Sequence, residues 1–147
     1  MANIRTTAGR RGQAIAEMGM VVLLFVVLTL GIMDFGRMLM VLNVITHAAR
    51  DGARIAALTK NDRWAGGALS GADLAAVQTR VRAQIATVMP QSQADAFTVT
   101  PSKFSAGAAG DEASVRVQGS VPFIFSFPGI WGGSITVDRT ATYRFEG

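Results

Sequence analysis

The sequence predicts an α+β protein: a long N-terminal membrane-spanning helix continuing as a stalk, then a second amphipathic helix packed on a small antiparallel sheet of three to four strands. Three observations carry this. Residues 18–33 read MGMVVLLFVVLTLGIM, sixteen residues without a charge. Apolar positions recur at helical spacing over residues 72–89 and alternate as in strands beyond residue 97. A chain of 147 residues suits one small domain plus an anchor.

Composition narrows the function. The chain has no Cys, which removes disulfides, thiolate metal sites and cysteine nucleophiles. A single His, His47, argues against a His-rich metal centre or a His-based triad. Half the residues are hydrophobic and 16% are charged, so the whole chain is not disordered. The mean hydropathy of +0.33 places part of that hydrophobicity in a bilayer. The pI near 10.7 comes mostly from Arg5, Arg10 and Arg11, which no acid accompanies. The rest of the chain balances eleven basic against ten acidic residues, so no nucleic-acid surface is expected.

The uncharged run spans roughly 24 Å as a helix, against a hydrocarbon core of roughly 30 Å. Extension back through Ala14, Ile15 and Ala16 supplies the missing length but takes in Glu17. The arginines before it place the N-terminus in the cytoplasm and everything after about residue 34 outside the inner membrane. A cleaved secretory signal fits poorly. Its apolar region would stop at a small-residue cleavage site, whereas here Gly31-Ile32-Met33-Asp34-Phe35 continues the helix.

Glu17 is the most informative residue. An acid at mid-bilayer costs about 2.5–3.5 kcal/mol on insertion scales, so a cation should pair with it. One reading solvates it at the headgroup level or bridges it to Arg10 or Arg11. The other follows from residues 10–17, RRGQAIAE: basic residues, Gly12, then a Glu five positions on, then the apolar run. This resembles a type IV prepilin cleavage motif. The resemblance implies a cytoplasmic-side cut by a membrane-embedded peptidase between Gly12 and Gln13. The α-amine so created is the cation Glu17 lacks, in its own chain or in a neighbour. Buried among packed helices, such a pair mainly sets register.

Residues 31–58, GIMDFGRMLMVLNVITHAARDGARIAAL, sharpen the match. They resemble the signature of TadE-like proteins of the tight-adherence (Tad) pilus, carried here by Asp34-Phe35-Gly36-Arg37, Asn43 and Ala48-Ala49-Arg50-Asp51-Gly52-Ala53-Arg54. The resemblance covers residues 12–58 and extends more loosely to the Phe-Pro-Gly and strand pattern of residues 127–145. Major pilins of that system are far shorter and carry Tyr straight after the Glu, where this chain has Met18. The resemblance therefore implies a minor, pilin-like subunit. Its partners would be the prepilin peptidase, the inner-membrane platform, a sibling minor pilin and the major pilin.

Read on their own residues, positions 31–58 form a helix leaving the membrane. Asp34 and Arg37 are three apart and within pairing reach, as are Asp51 and Arg54. Leu39, Leu42, Ile45, Ala49, Ala53 and Ala56 share one face, small enough for a close-packed partner. Arg50, Asp51 and Arg54 lie off that face as solvated charge, and His47 sits one turn from Asp51, positioned to bond its carboxylate.

The predicted organisation is a leader at 1–12, membrane helix and stalk at 13–58, linker at 59–71 and an extracytoplasmic head at 72–147. In the head a helix runs from Ala72 to Met89 with Leu74, Val77, Val81, Ile85 and Val88 on one stripe, and Pro90 ends it. Phe97 and Val99 alternate before Pro101; Val115, Val117, Val121 and Phe123 alternate with Gly119 in parity, and Pro122 indicates an edge or a bulge. Residues 134–145 put Ile135, Val137, Ala141, Tyr143 and Phe145 on one face, with Arg139 interrupting it and implying a bulge or an interface. The aromatic stretch 123–133 reads as a hairpin in which Phe125, Phe127 and Trp131 fill the core, with an exposed membrane- or partner-touching loop as the alternative.

No phosphate-binding loop, zinc helix or EF-hand appears, and Asp111-Glu112 reads as a turn. The expectation is a structural subunit, not an enzyme, with no metal or cofactor, anchored once in a bacterial inner membrane and processed at Gly12. The alternatives are an unprocessed single-pass protein with an outer binding domain, or a type II secretion pseudopilin, which shares the leader but not the residue 43–54 pattern.

Overall fold

The computed structural model describes residues 5–105, 111–125 and 133–145. The chain divides into two units, Met1–Gly36 and Arg37–Gly147. One helix, α1 (Arg5–Leu58), supplies all the described structure of the first unit and opens the second.

In the first unit the apolar side chains face outward all round the helix. Met18, Val21, Leu24, Phe25, Leu28 and Ile32 are all exposed. An 18-residue window within Gly12–Leu58 reaches a mean hydropathy of 2.5 with none of it buried, so this helix is long and apolar enough to cross a membrane. A helix apolar on every face needs either a protein interior or lipid around it. The side chains of Arg5, Arg10 and Arg11 lie outside the described residues.

The second unit is the α+β head. After α1, a short 3-10 turn (Asn61–Arg63) leads into β1 (Trp64–Ala65) and β2 (Ala68–Leu69), then α2 (Gly71–Ile85) and α3 (Gln91–Asp95). Three long strands follow: β3 (Thr98–Ser105), β4 (Asp111–Pro122) and β5 (Ser134–Arg144). All five strands form one sheet in the order β1-β2-β3-β4-β5, each pair antiparallel. The α+β class with its long N-terminal helix stands, and the sheet has five strands where three to four were expected. The two extra strands are two residues long and flank Gly66-Gly67, whose φ of 59° and 83° make a two-residue hairpin turn.

The core lies where α1 and α2 meet one face of the sheet. It joins Val41, Ile45, Ala49 and Ala53 of α1 to Val77, Val81 and Ile85 of α2, and to Phe97, Val115, Val117 and Val121. Each fully buried Val or Ile contributes about 1.5–3 kcal/mol, counted as an upper bound from area removed from water. The predicted stripe of α2 is the buried one, with Leu74 and Val88 packed at its margins. On α1 the expected face is shifted: Met38 and Val41 are buried, while Leu39 is 47% exposed.

Local expectations are corrected at several points. Asp111 and Glu112 form no turn but open β4, paired in register with Ser105 and Phe104. The second helix stops at Ile85, not Met89; Thr87 and Val88 donate to Gln84 and Ile85 in a tightened turn. Pro90 opens α3, where its missing N–H costs nothing, and its carbonyl accepts from Gln93 and Ala94. β3 continues through Pro101 to Ser105. Lys103 N donates to Gly67 O on the β2 side, and N–H direction alternates along a strand, so the Pro101 nitrogen also points away from β4 and breaks no bond to it. Nor do Pro122 and Arg139 mark the predicted irregularities. Pro122 closes the internal strand β4 opposite Ser134, and Arg139 sits in unbroken register opposite Val117. β5 lies at the sheet edge, where Arg139 reaches water without a bulge. Phe127 and Trp131, and the Phe-Pro-Gly of residues 127–129, lie outside the described residues.

Candidate functional site

The residues singled out by the sequence fall into three groups: one in the first unit, one around residue 36 and one in the second unit. In the first unit Gly12 and Gln13 lie within α1, both exposed. A Cβ at Gly12 would meet nothing within 4 Å, so no packing among the described residues requires glycine there. Glu17 is exposed on the same helix and its Oε1 accepts a hydrogen bond from Gln13 Nε2 at 2.9 Å. That i,i+4 bond places the residue after the proposed cut beside the acid. This partner is neither the arginine nor the α-amine that the sequence leads one to expect.

At the junction, Asp34 is buried (3% exposed), Phe35 is 63% exposed and Gly36 has open space around it. Arg37, in the second unit, donates to the carbonyl of Pro122 at the end of β4. This ties the entry of α1 into the head to an internal strand of the sheet.

The stretch from Asn43 to Arg54 sorts by side-chain size. Ala48, Ala49 and Ala53 are fully buried. Gly52 is the tightest point: a Cβ there would lie 2.7 Å from Val81 Cγ2 and 3.4 Å from Val115 Cγ1. The small residues of the motif thus let α1 press against both α2 and β4, which explains them as folding residues of this head. The close-packed partner expected for this face is the chain's own head.

The polar members of the same stretch face outward. Asn43, Arg50 and Arg54 are exposed. Asp51 accepts from Arg80 Nε of α2 at 2.9 Å, so its partner is neither Arg54 nor His47 as local spacing implied. The two helices are bridged instead. Together His47, Arg50, Asp51 and Arg54 of α1 line an open cavity of about 550 Å³ with residues of α2 and β5. Gln84 on α2 and Tyr143 on β5 belong to this lining, and sequence reasoning missed both because no local pattern connects three separate elements.

Elsewhere in the head, Trp64 stacks edge-on to Phe145 with ring centroids 6.0 Å apart, and Lys103 Nζ lies 5.0 Å over the Phe145 ring. Lys103 also pairs with Asp111 at 2.6 Å, which closes the ends of β3 and β4. Among the described residues no group of three or more His, Cys, Asp or Glu is placed to hold a metal ion.

Fold and surface together define an α+β head carried on an exposed apolar helix. A model of the TadE-like protein family matches residues 12–54. The match opens at Gly12 and closes at Arg54, so the resemblance to TadE-like proteins read over residues 12–58 is borne out over residues 12–54. No curated protein and no solved structure matches the chain.

Proposed function

We propose that this chain is a minor pilin-like subunit of a Tad-type pilus, cut by a prepilin peptidase between Gly12 and Gln13 and integrated through its N-terminal helix. The observation that carries the reading is the coincidence of three features at one place. The family match begins at Gly12, the glycine there has no packing role among the described residues, and the exposed apolar helix starts directly after it. Glycine lets a backbone enter a narrow peptidase site without a side-chain clash. The basic residues before it hold that end on the cytoplasmic side, and the head lies outside the inner membrane.

In an assembly the exposed residues from Gln13 to Gly36 pack against the equivalent helices of sibling minor and major pilins. Glu17 takes the new α-amine of its own or a neighbouring chain and so fixes register. The head, whose side of α1 is already filled by α2 and the sheet, gives the subunit its individual surface. The peptidase and the inner-membrane platform are the other partners of this reading.

Co-expression with an active prepilin peptidase and intact-mass measurement tests the reading. The expected product lacks residues 1–12, and a Gly12→Trp chain stays whole. A parent chain that keeps its N-terminus beside an active peptidase contradicts it and favours an unprocessed single-pass protein.

A further inference from the structure

We propose that the cavity over the outer side of α1 in the head is a docking site for an acidic peptide segment of another protein. The other arginines of α1, the turn and α2 in this unit have partners. Arg37 donates to Pro122 O, Arg63 pairs with Asp73, Arg80 pairs with Asp51, and Arg82 donates to Phe97 O. Arg50 and Arg54 make no such bond among the described residues. They stand one turn apart on α1, where like charges repel, and both face the same cavity. His47, one turn before Arg50, adds a ring N–H to that wall.

A second observation says what kind of anion fits. Gln84 Oε1, on the α2 wall, is buried without a hydrogen-bond donor. A buried acceptor left unpaired is destabilising until something donates to it. Free phosphate at neutral pH brings mainly acceptors. A peptide brings carboxylates for the two guanidinium groups, and its backbone N–H groups can serve the Gln84 oxygen once that amide turns toward the cavity it lines. The cavity, at about 550 Å³, exceeds what one small anion needs, and the Tyr143 ring gives it an apolar wall for a side-chain stem. The Asp51–Arg80 pair across the two helices disfavours a compact dianion beside Asp51 but tolerates spaced single charges. The occupant is therefore a segment with carboxylates spread along it. The inference stands whether or not Gly12 is cut.

The test uses the full chain in nanodiscs of uncharged phosphatidylcholine, with a fluorescent octapeptide alternating Glu and Ala as probe and its Gln counterpart as control. The Glu peptide should bind and the Gln peptide should not, and binding should weaken as salt rises. Arg50→Gln with Arg54→Gln should weaken it at least tenfold. Gln84→Leu should weaken it about threefold, whereas Lys60→Gln with Arg144→Gln, equal in charge but outside the cavity, should leave it within twofold. All these side chains line the cavity or lie at the surface, and circular dichroism checks that the variants keep their fold. Equal binding by parent and Arg50/Arg54 variant overturns the proposal, as does no binding at low salt. Displacement of the peptide by an equimolar amount of inorganic phosphate also overturns it and marks a simple anion site.

Discussion

Gly52 of α1 faces Val81 of α2 so closely that a Cβ on the glycine would lie 2.7 Å from the valine Cγ2. Helix propensity alone favours Ala over Gly by about 1 kcal/mol. Overpacking a tight contact costs about 1–3 kcal/mol, and a β-branched Val in a helix has little rotamer freedom with which to move. Gly52→Ala should therefore lower head stability by about 1 kcal/mol on balance, and Gly52→Leu by far more. Gly36→Ala, with open space at its Cβ, should be neutral or slightly stabilising. Thermal unfolding in detergent, followed by circular dichroism, compares the three.

Gly119 and Phe97 form the corresponding contact on the sheet. A Cβ at Gly119 would enter the Phe97 ring, and Phe97 is only 1% exposed. The ring has no solvent route of escape, so Gly119→Ala should cost about 2–3 kcal/mol, at the upper end for overpacked sites. Denaturant unfolding should show a lower midpoint with an unchanged slope.

Asp138 on β5 accepts from Arg116 Nε at 3.0 Å and from Gln118 Nε2 at 3.1 Å across the β4–β5 ladder. The Arg116 hydrogen bond holds the Asp138 carboxyl below its ordinary range; desolvation opposes it, and the Gln118 hydrogen bond adds to the lowering. A carboxyl with a lower value folded than unfolded stabilises the fold above its unfolded pKa of about 3.9 and loses that contribution as pH falls through its folded value. The head should weaken slightly below about pH 4 for this reason, and Asp138→Asn should remove that share of the acid sensitivity. Carboxyl-carbon NMR titration of Asp138 checks the direction, and a midpoint at or above the ordinary value would contradict it.

Gly12 separates recognition from folding. With nothing within 4 Å of its Cβ position, Gly12→Trp should leave the melting temperature of the head unchanged while blocking the cut. A loss of both would mean that the glycine serves the fold.

Much of this architecture is legible before any coordinates. The apolar run from Met18 to Met33, the Ala-rich face of α1 and the Val77, Val81, Ile85 stripe each follow from periodicity, and each lies where periodicity puts it. The phase of α1 after residue 37 is harder to read. Leu39 fits a three- and four-residue repeat as well as Met38 does, and only the placement of α2 and β4 decides which one is covered. Strands β1 and β2 are too short to show alternation, and only the Gly66-Gly67 pair between Ala65 and Ala68 signals their hairpin. Arg139 reads as a disruption because a charge on an apolar face needs a reason, and the reason is an edge strand rather than a bulge. The Asp51–Arg80 pair joins residues 29 apart in sequence, beyond the reach of any local rule.

In the function proposed above, Glu17 acts in an assembly, matched by an amine freed at Gln13. Its most direct measurement is the number of surface pili on cells whose own copy of this chain is replaced by Glu17→Gln, with cleavage at Gly12 verified in the same cells. A cut but assembly-defective Glu17→Gln chain, with pili at least tenfold fewer than in the parent, is the predicted result. Cut Glu17→Gln chains supporting as many pili as the parent would contradict the account.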